Sequence, residues 1–481
     1  MMLVSRSLVA ARMSASLVCL ASLVCLACND SQLDEPLANR AGNGAKKNGA
    51  TGAGRGGDRD GGTGTGASGA SSGRRDGGSS ADGAIGSGAG GDDEPNGSAA
   101  SGGSGAGGAG EPFLVPPFSK PNLLESIGGC ALASYRDFAD KALALDDAAR
   151  RLARTPEDAE RTAAQDAWLA AMASWQRAEP FRFGPAARTP ALGALDLRDQ
   201  IYAFPLGSSC KVDQTLVDQS YASADYATSL ISGRGIGALE YLLFHDGGGN
   251  ACLASVAINT DGSWDALSAA ELAQRRADYA AAAARELRVR ADALVQAWDP
   301  AADNFLADVS RPGRGGSVYA NAQDAFNAIS DGLFMLDKEV KDWKLGWPLG
   351  LVTDCINAPN TCPDAVESRY ARVSTANLQQ NLLGFRNAFE GCGPDHAGLG
   401  FDDWLREIGA GDLADRMVEA LIGTERALAE LEPQLEDAIV SDPPRVLAVH
   451  AAAKRATDLL KTEFVTVLDL ELPLAVEGDN D

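Results

Sequence analysis

From about residue 112 onward the sequence predicts an all-α protein built as two helical halves. Apolar residues recur at the three- and four-residue steps of a helix, and strand-type alternation is hard to find. Start and stop signals punctuate the chain at intervals suited to long helices. Two similar Gly/Pro stops, Phe181-Arg-Phe-Gly-Pro185 and Lys344-Leu-Gly-Trp-Pro-Leu-Gly350, close one helix in each half, which suggests an old duplication of one bundle.

Ahead of this region, residues 1–28 read as an export signal. Arg6 and Arg12 form the basic start, and Ser14 to Ala27 an apolar run of about fourteen residues, short for a membrane span. It ends Leu26-Ala27-Cys28, which predicts a lipoprotein whose mature chain begins at a lipidated Cys28. Asn29 rather than an acid comes next, so the expected site is the outer membrane, facing the periplasm or the cell surface. Residues 29–111 are Gly, Ser, Ala, Asp and Asn with scarcely an aliphatic cluster, and read as a disordered tether. Some eighty residues of this kind span roughly 50 Å.

The first half, 112–315, opens with a helix expected from Asn122 to Arg154. Thr155-Pro-Glu-Asp is read as the cap and first turn of a second helix, to Glu179, with Trp168, Leu169, Met172 and Trp175 spaced to face a core. A looser segment, Ala186 to Pro205, carries Asp196 and Asp199. Helical patterns resume near Val212 and again in Gly233-Arg-Gly-Ile-Gly-Ala-Leu-Glu-Tyr-Leu-Leu-Phe244, where a glycine-rich turn runs into an apolar helix bearing one acid, Glu240. Ser268-Ala-Ala-Glu271 is a capping box for a long helix to Trp298. Asp299-Pro300 and Arg311-Pro-Gly-Arg-Gly-Gly316 break the pattern and set the boundary near 315. The second half, 316–481, is read as helices at Asn321–Trp343 and Thr375–Phe389, a Gly-rich loop to Gly400, and two or three more to Leu470, with Asp442-Pro-Pro444 as a turn.

The Gly233 run is no dinucleotide fingerprint, since its spacing is wrong and no strand precedes it. Close backbone packing, or free N–H groups that meet an anion, are its two readings. The helix it opens resembles the motif of the imelysin-like family, Gly-x-His-x-x-Glu followed by an aromatic and two leucines. Gly235, Glu240, Tyr241, Leu242, Leu243 and Phe244 match, and Gly237 stands where the family has its histidine. Four further stretches resemble family motifs in the right order: Trp175 to Glu179 with Phe181 to Pro185; Asp196, Asp199 and Pro205; Glu367-Ser-Arg-Tyr370; and Gly398-Leu-Gly-Phe-Asp-Asp403. The resemblance implies two helical bundles related by pseudo-symmetry, with the motif helix near their junction. It implies an envelope lipoprotein that binds a metal or an iron-bearing ligand for a membrane transport partner. Peptidase-like hydrolysis is the alternative, and a scaffold that has lost the family's metal site is another.

Most of the net charge of −24 lies beyond residue 112, which argues against nucleic acid as a partner. Six of nine cysteines fall in the same region, and an even number in an exported chain reads as three disulfides. Fifteen pairings are possible; Cys355–Cys362 is the local one, and Cys210–Cys252 with Cys130–Cys392 completes the expected set. Thiol metal sites are the weaker reading, with no Cys-x-x-Cys pair among these six.

No catalytic residue is assigned. The chain has three histidines, His245, His396 and His450, no His-Glu-x-x-His, and no recognisable nucleophile-elbow serine. What remains is a carboxylate-rich site for iron or another divalent cation, with Glu240, Glu179, Asp196 and Asp199 as ligands and Glu367 as a fifth acid in a family-like motif. His245 lies about 140° round the helix from Glu240 and shares its face poorly. The competing expectation is structural: Glu240 and Glu179 pair with Arg234, Arg182 or Arg369 and pin the bundles together.

Overall fold

The computed structural model describes residues 115–352, 355, 361–474 and 476; the export signal, Cys28 and the tether lie outside them. Helices account for the regular structure, with no strand among the described residues. Ten helices build the core and the site: α1 Lys120–Arg154, α2 Asp158–Ala178, α3 Ser209–Asp218, α4 Gly235–Phe244, α5 Ala269–Trp298, α6 Ala322–Leu333, α7 Leu336–Gly346, α8 Ser374–Phe389, α9 Gly411–Ala429 and α10 Pro443–Leu459. Among the described residues, none is long and apolar enough to cross a membrane.

Local chemistry accounts for most boundaries. Ser119 caps α1 by accepting from the Asn122 N–H at 3.2 Å. The capping box at α5 is complete, Ser268 and Glu271 each accepting from the other's backbone N–H. Thr155 corrects the expectation for α2. The proline after it drives it out of helical conformation, so it closes α1 by donating its N–H to the Arg151 carbonyl, and α2 begins at Asp158 without a side-chain cap. The helix expected over Asn321–Trp343 is two elements. Asn321 caps α6 through the N–H groups of Gln323 and Asp324, and the chain then rewinds as the π-helical α7, a rare winding that is frequent at functional sites. Pro443 and Pro444 start α10 rather than forming a separate turn.

The helices pack as two groups. In one, α1, α2, α4 and α5 surround Phe138, Trp168, Trp175 and Trp298, all buried. In the other, α7, α8, α9 and α10 enclose Phe385, Phe389 and Phe464. The groups meet where α2 lies on α8. There Gly384 is required, because a Cβ would sit 2.2 Å from the Arg177 carbonyl oxygen. The described residues all fall within one compact unit, so the turn near 315 links two packed groups rather than separate bodies. Disulfides join Cys130 of α1 to Cys392 after α8, Cys210 of α3 to Cys252 after α4, and Cys355 to Cys362.

Candidate functional site

Helix α4 is held from several sides. From α2, the Trp168 indole N–H donates to the Ile236 carbonyl at 2.8 Å and Gln165 donates to the Leu243 carbonyl at 2.9 Å. From α5, the Tyr279 hydroxyl donates to the Gly233 carbonyl at 2.5 Å. Of the motif glycines, Gly235 is the one that serves close packing. It sits at φ +70°, and a Cβ there would meet the Ile201 carbonyl oxygen at 2.5 Å, so both backbone and space demand glycine. Gly237 is different: a Cβ there would meet nothing within 4 Å.

That open space belongs to a cleft of about 340 Å³ to which both groups contribute. Its floor is the α4 face bearing Gly237 and Glu240, one turn apart. One wall is the Tyr202–Ser209 segment, and the other is Trp347 with the Val366–Tyr370 loop. Glu240 is 7 % exposed and ties α4 to that loop, its Oε1 accepting from the backbone N–H groups of Tyr370 at 2.9 Å and Ala371 at 3.1 Å. Burial pushes its carboxyl up to about 7, against the lowering effect of those two N–H bonds and with a further push from the charge of Glu367.

Behind the cleft a buried polar network joins the groups. Glu367 Oε1 accepts from Gln176 of α2 at 2.7 Å and from the Tyr202 hydroxyl, while its Oε2 lies 3.3 Å from Lys344 Nζ of α7. Lys344 donates to Gln176 Oε1 at 2.6 Å and to Asn381 Oδ1 of α8 at 2.7 Å. Asn381 in turn donates to Gln176 Oε1 at 2.8 Å. Burial and the neighbouring Glu367 charge hold the Tyr202 hydroxyl well above its ordinary range, so it stays a donor.

The four acids expected to share a cation are not gathered. Glu179 is buried against Arg198 Nη2 at 3.1 Å. Asp199 accepts from Arg188 Nε at 2.7 Å and Arg198 Nη1 at 3.2 Å. Asp196, in left-handed conformation at the start of a short helix, accepts from the N–H and hydroxyl of Thr189 at 2.7 and 2.9 Å. Glu240 alone of the four lines the cleft, with Glu367 as its neighbouring acid. Among the described residues, no group of three or more His, Cys, Asp or Glu side chains is placed to hold a metal ion. The residues present therefore do not fit a bare divalent cation: arginine or threonine occupies the other three expected ligands, and position 237 offers no side chain.

The expected structural pairings also differ. Arg234 pairs with Glu286, Arg182 with Glu339, and Arg369 with Asp364. His245 ends α4, stacks on Tyr241 with ring centres 4.7 Å apart and meets Tyr370 edge-on at 5.6 Å, touching two rings that line the cleft without lining it itself. Sequence patterns single out none of Gln176, Lys344, Asn381 and Tyr202 as site residues. Gln176 and Lys344 carry only local hints, one lying inside the Trp175–Glu179 motif and the other opening the second Gly/Pro stop.

The family model for imelysin, labelled as a peptidase family, matches residues 131–462. The chain belongs to the imelysin family. Iron-regulated protein A of Synechococcus elongatus is 23 % identical over 339 residues, 70 % of this chain and 83 % of that protein. An imelysin-like protein from Psychrobacter arcticum superposes with a TM-score of 0.54 at 18 % identity, covering 75 % of this chain and all of its own. A putative iron-regulated protein A precursor from Parabacteroides distasonis gives 0.55 at 17 % identity, covering 73 % and 95 %. At such identity these structures speak for the imelysin fold alone.

Proposed function

We propose that this chain is an exported binding protein of the cell envelope, that it serves iron or other metal acquisition with a membrane transport partner, and that its ligand enters the cleft over Gly237. The observation that carries this is the open volume above Gly237 beside a buried carboxyl. A side chain is missing where the packing would admit one, and the space it leaves is bounded by polar and aromatic groups. The relatives support the iron association by the descriptions they carry, iron-regulated protein A and its precursor. The peptidase label of the family favours a second reading, an envelope hydrolase. Casein cleavage lost in Glu240→Gln would support that reading over binding.

The test fills the cleft. Gly237→Phe places a ring into open space at a helical position where glycine is a poor helix former, so the fold should tolerate it. The mature protein is screened by thermal shift against ferrous, ferric and calcium salts and small organic amines, alcohols and carboxylates. Any compound that stabilises the wild type should lose its effect on Gly237→Phe. A compound that stabilises both equally binds elsewhere and removes the cleft reading.

Export rests on residues outside the described region. The mature protein is expected to begin at a lipidated Cys28 and to partition into detergent, with intact mass as the check. An unmodified terminus at any other residue decides against the anchor.

A further inference from the structure

We propose that the cleft takes an organic cation, a protonated amine or guanidinium, with Glu240 as its counter-ion and the space over Gly237 as its seat. This rests on the reading of the cleft as the binding site and names the chemistry of its ligand.

Charge decides the matter. Six charged side chains border the cleft or stand directly behind it. Lys344 sits against Glu367, both buried, and its remaining donors go to Gln176 and Asn381. Arg369 is tied to Asp364 and to the Tyr370 hydroxyl at 2.8 Å, and lies over the Tyr370 ring at 4.8 Å. Arg234 turns its guanidinium away, donating to the Ala227 carbonyl at 2.6 Å and facing Glu286 of α5 at 3.6 Å. Lys344 and Arg369 are each paired with an anion, and Arg234 shares Glu286 with Arg290, outside the cleft. Glu240 has no such partner: among the described residues no lysine or arginine nitrogen pairs with it, and its Oε2 has no hydrogen-bond partner. When ionised, Glu240 is therefore a carboxylate with no direct ion pair in the cleft, Arg369 acting on it only as a charged neighbour.

A buried carboxylate without a counter-ion is costly, and a ligand cation offsets that cost where the protein's own cations are committed elsewhere. A metal ion would need several ligands in one place, and among the described residues no three His, Cys, Asp or Glu side chains are so placed. An ammonium group needs only a charge-assisted hydrogen bond and the faces of aromatic rings. The walls provide rings in Phe204, Tyr241, Trp347 and Tyr370. A volume of about 340 Å³ suits a small organic molecule, whereas it is far larger than a lone ion requires.

The test uses three probes of one shape and different charge, titrated into the full mature protein by calorimetry: 2-phenylethylamine, 2-phenylethanol and 3-phenylpropionate. The amine should bind at least about tenfold more tightly than the alcohol, and the carboxylate weakest of all. Glu240→Gln should bring amine and alcohol to equal affinity while leaving the alcohol unchanged, a difference that general loss of structure cannot produce. Gly237→Phe should weaken all three. If the alcohol or the carboxylate binds as well as the amine, and Gly237→Phe still blocks them, the cation proposal fails and the cleft stands as the site. If no probe binds, or Gly237→Phe leaves binding unchanged, both fail.

Discussion

Lys344→Ala is expected to lower the stability of the folded region by about 3–5 kcal/mol, the range for breaking a buried ion pair from one side. The size reflects the groups left behind. Glu367 would keep its hydrogen bonds from Gln176 and Tyr202 but lose the cation against it, and Asn381 Oδ1 would lose its donor. The reverse change, Glu367→Gln, should cost less, because Lys344 still has the oxygens of Gln176 and Asn381 as acceptors. Joint replacement, Lys344→Met with Glu367→Gln, removes both charges and should recover much of the loss, since a buried pair is rarely worth more than its desolvation. Urea unfolding of the singles and the double gives the coupling directly. If Lys344→Ala falls within about 1 kcal/mol of the wild type, the ion pair contributes little and the network does not hold the helix groups together.

This network also marks where sequence patterns stop informing. The helices were legible because their signals are local: a capping box spans four residues, and a proline acts on its neighbour. Glu240 and Gly237 were legible through the motif their stretch resembles. The contacts behind the cleft carry no such signal. Gln176 meets Lys344 across 168 residues, Glu367 across 191 and Asn381 across 205, and nothing in any one stretch requires the others. The acid set failed for a related reason. Asp196 and Asp199 looked available because position in a motif says nothing of which arginine or hydroxyl folds onto them. Thr189, Arg188 and Arg198 were all close by in the chain. Composition could not distinguish a carboxylate that has a partner from one that does not.

Glu240→Gln is expected to stabilise the protein at alkaline pH, the opposite of what loss of a bundle-pinning acid would do. The folded carboxyl titrates near 7 against an ordinary 4.5, so between these values the folded protein holds a proton that the unfolded chain has released. Stability contributed by this group is therefore full below about 4.5, falls as pH rises to about 7, and is flat and lowest above it. A difference of that size amounts to roughly 3 kcal/mol. Glutamine carries no charge to desolvate and can still accept from Tyr370 and Ala371, so the variant escapes most of this loss. The gain is reduced by the weaker bonds that a neutral oxygen makes to those N–H groups. Glu367 and Arg369 are the charged neighbours that tune the value, one raising it and the other lowering it. Urea midpoints at pH 4.5, 6 and 8 should show wild type and variant level at the lowest and the variant ahead at the highest. A variant that is weaker at pH 8 would mean that the carboxylate's grip on the Val366–Tyr370 loop outweighs its burial. The expected gain has a functional meaning when it is joined to the binding test. An acid whose removal strengthens the fold but erases selection for a cationic ligand is retained for the ligand, and its instability in the empty cleft is what the ligand's charge relieves.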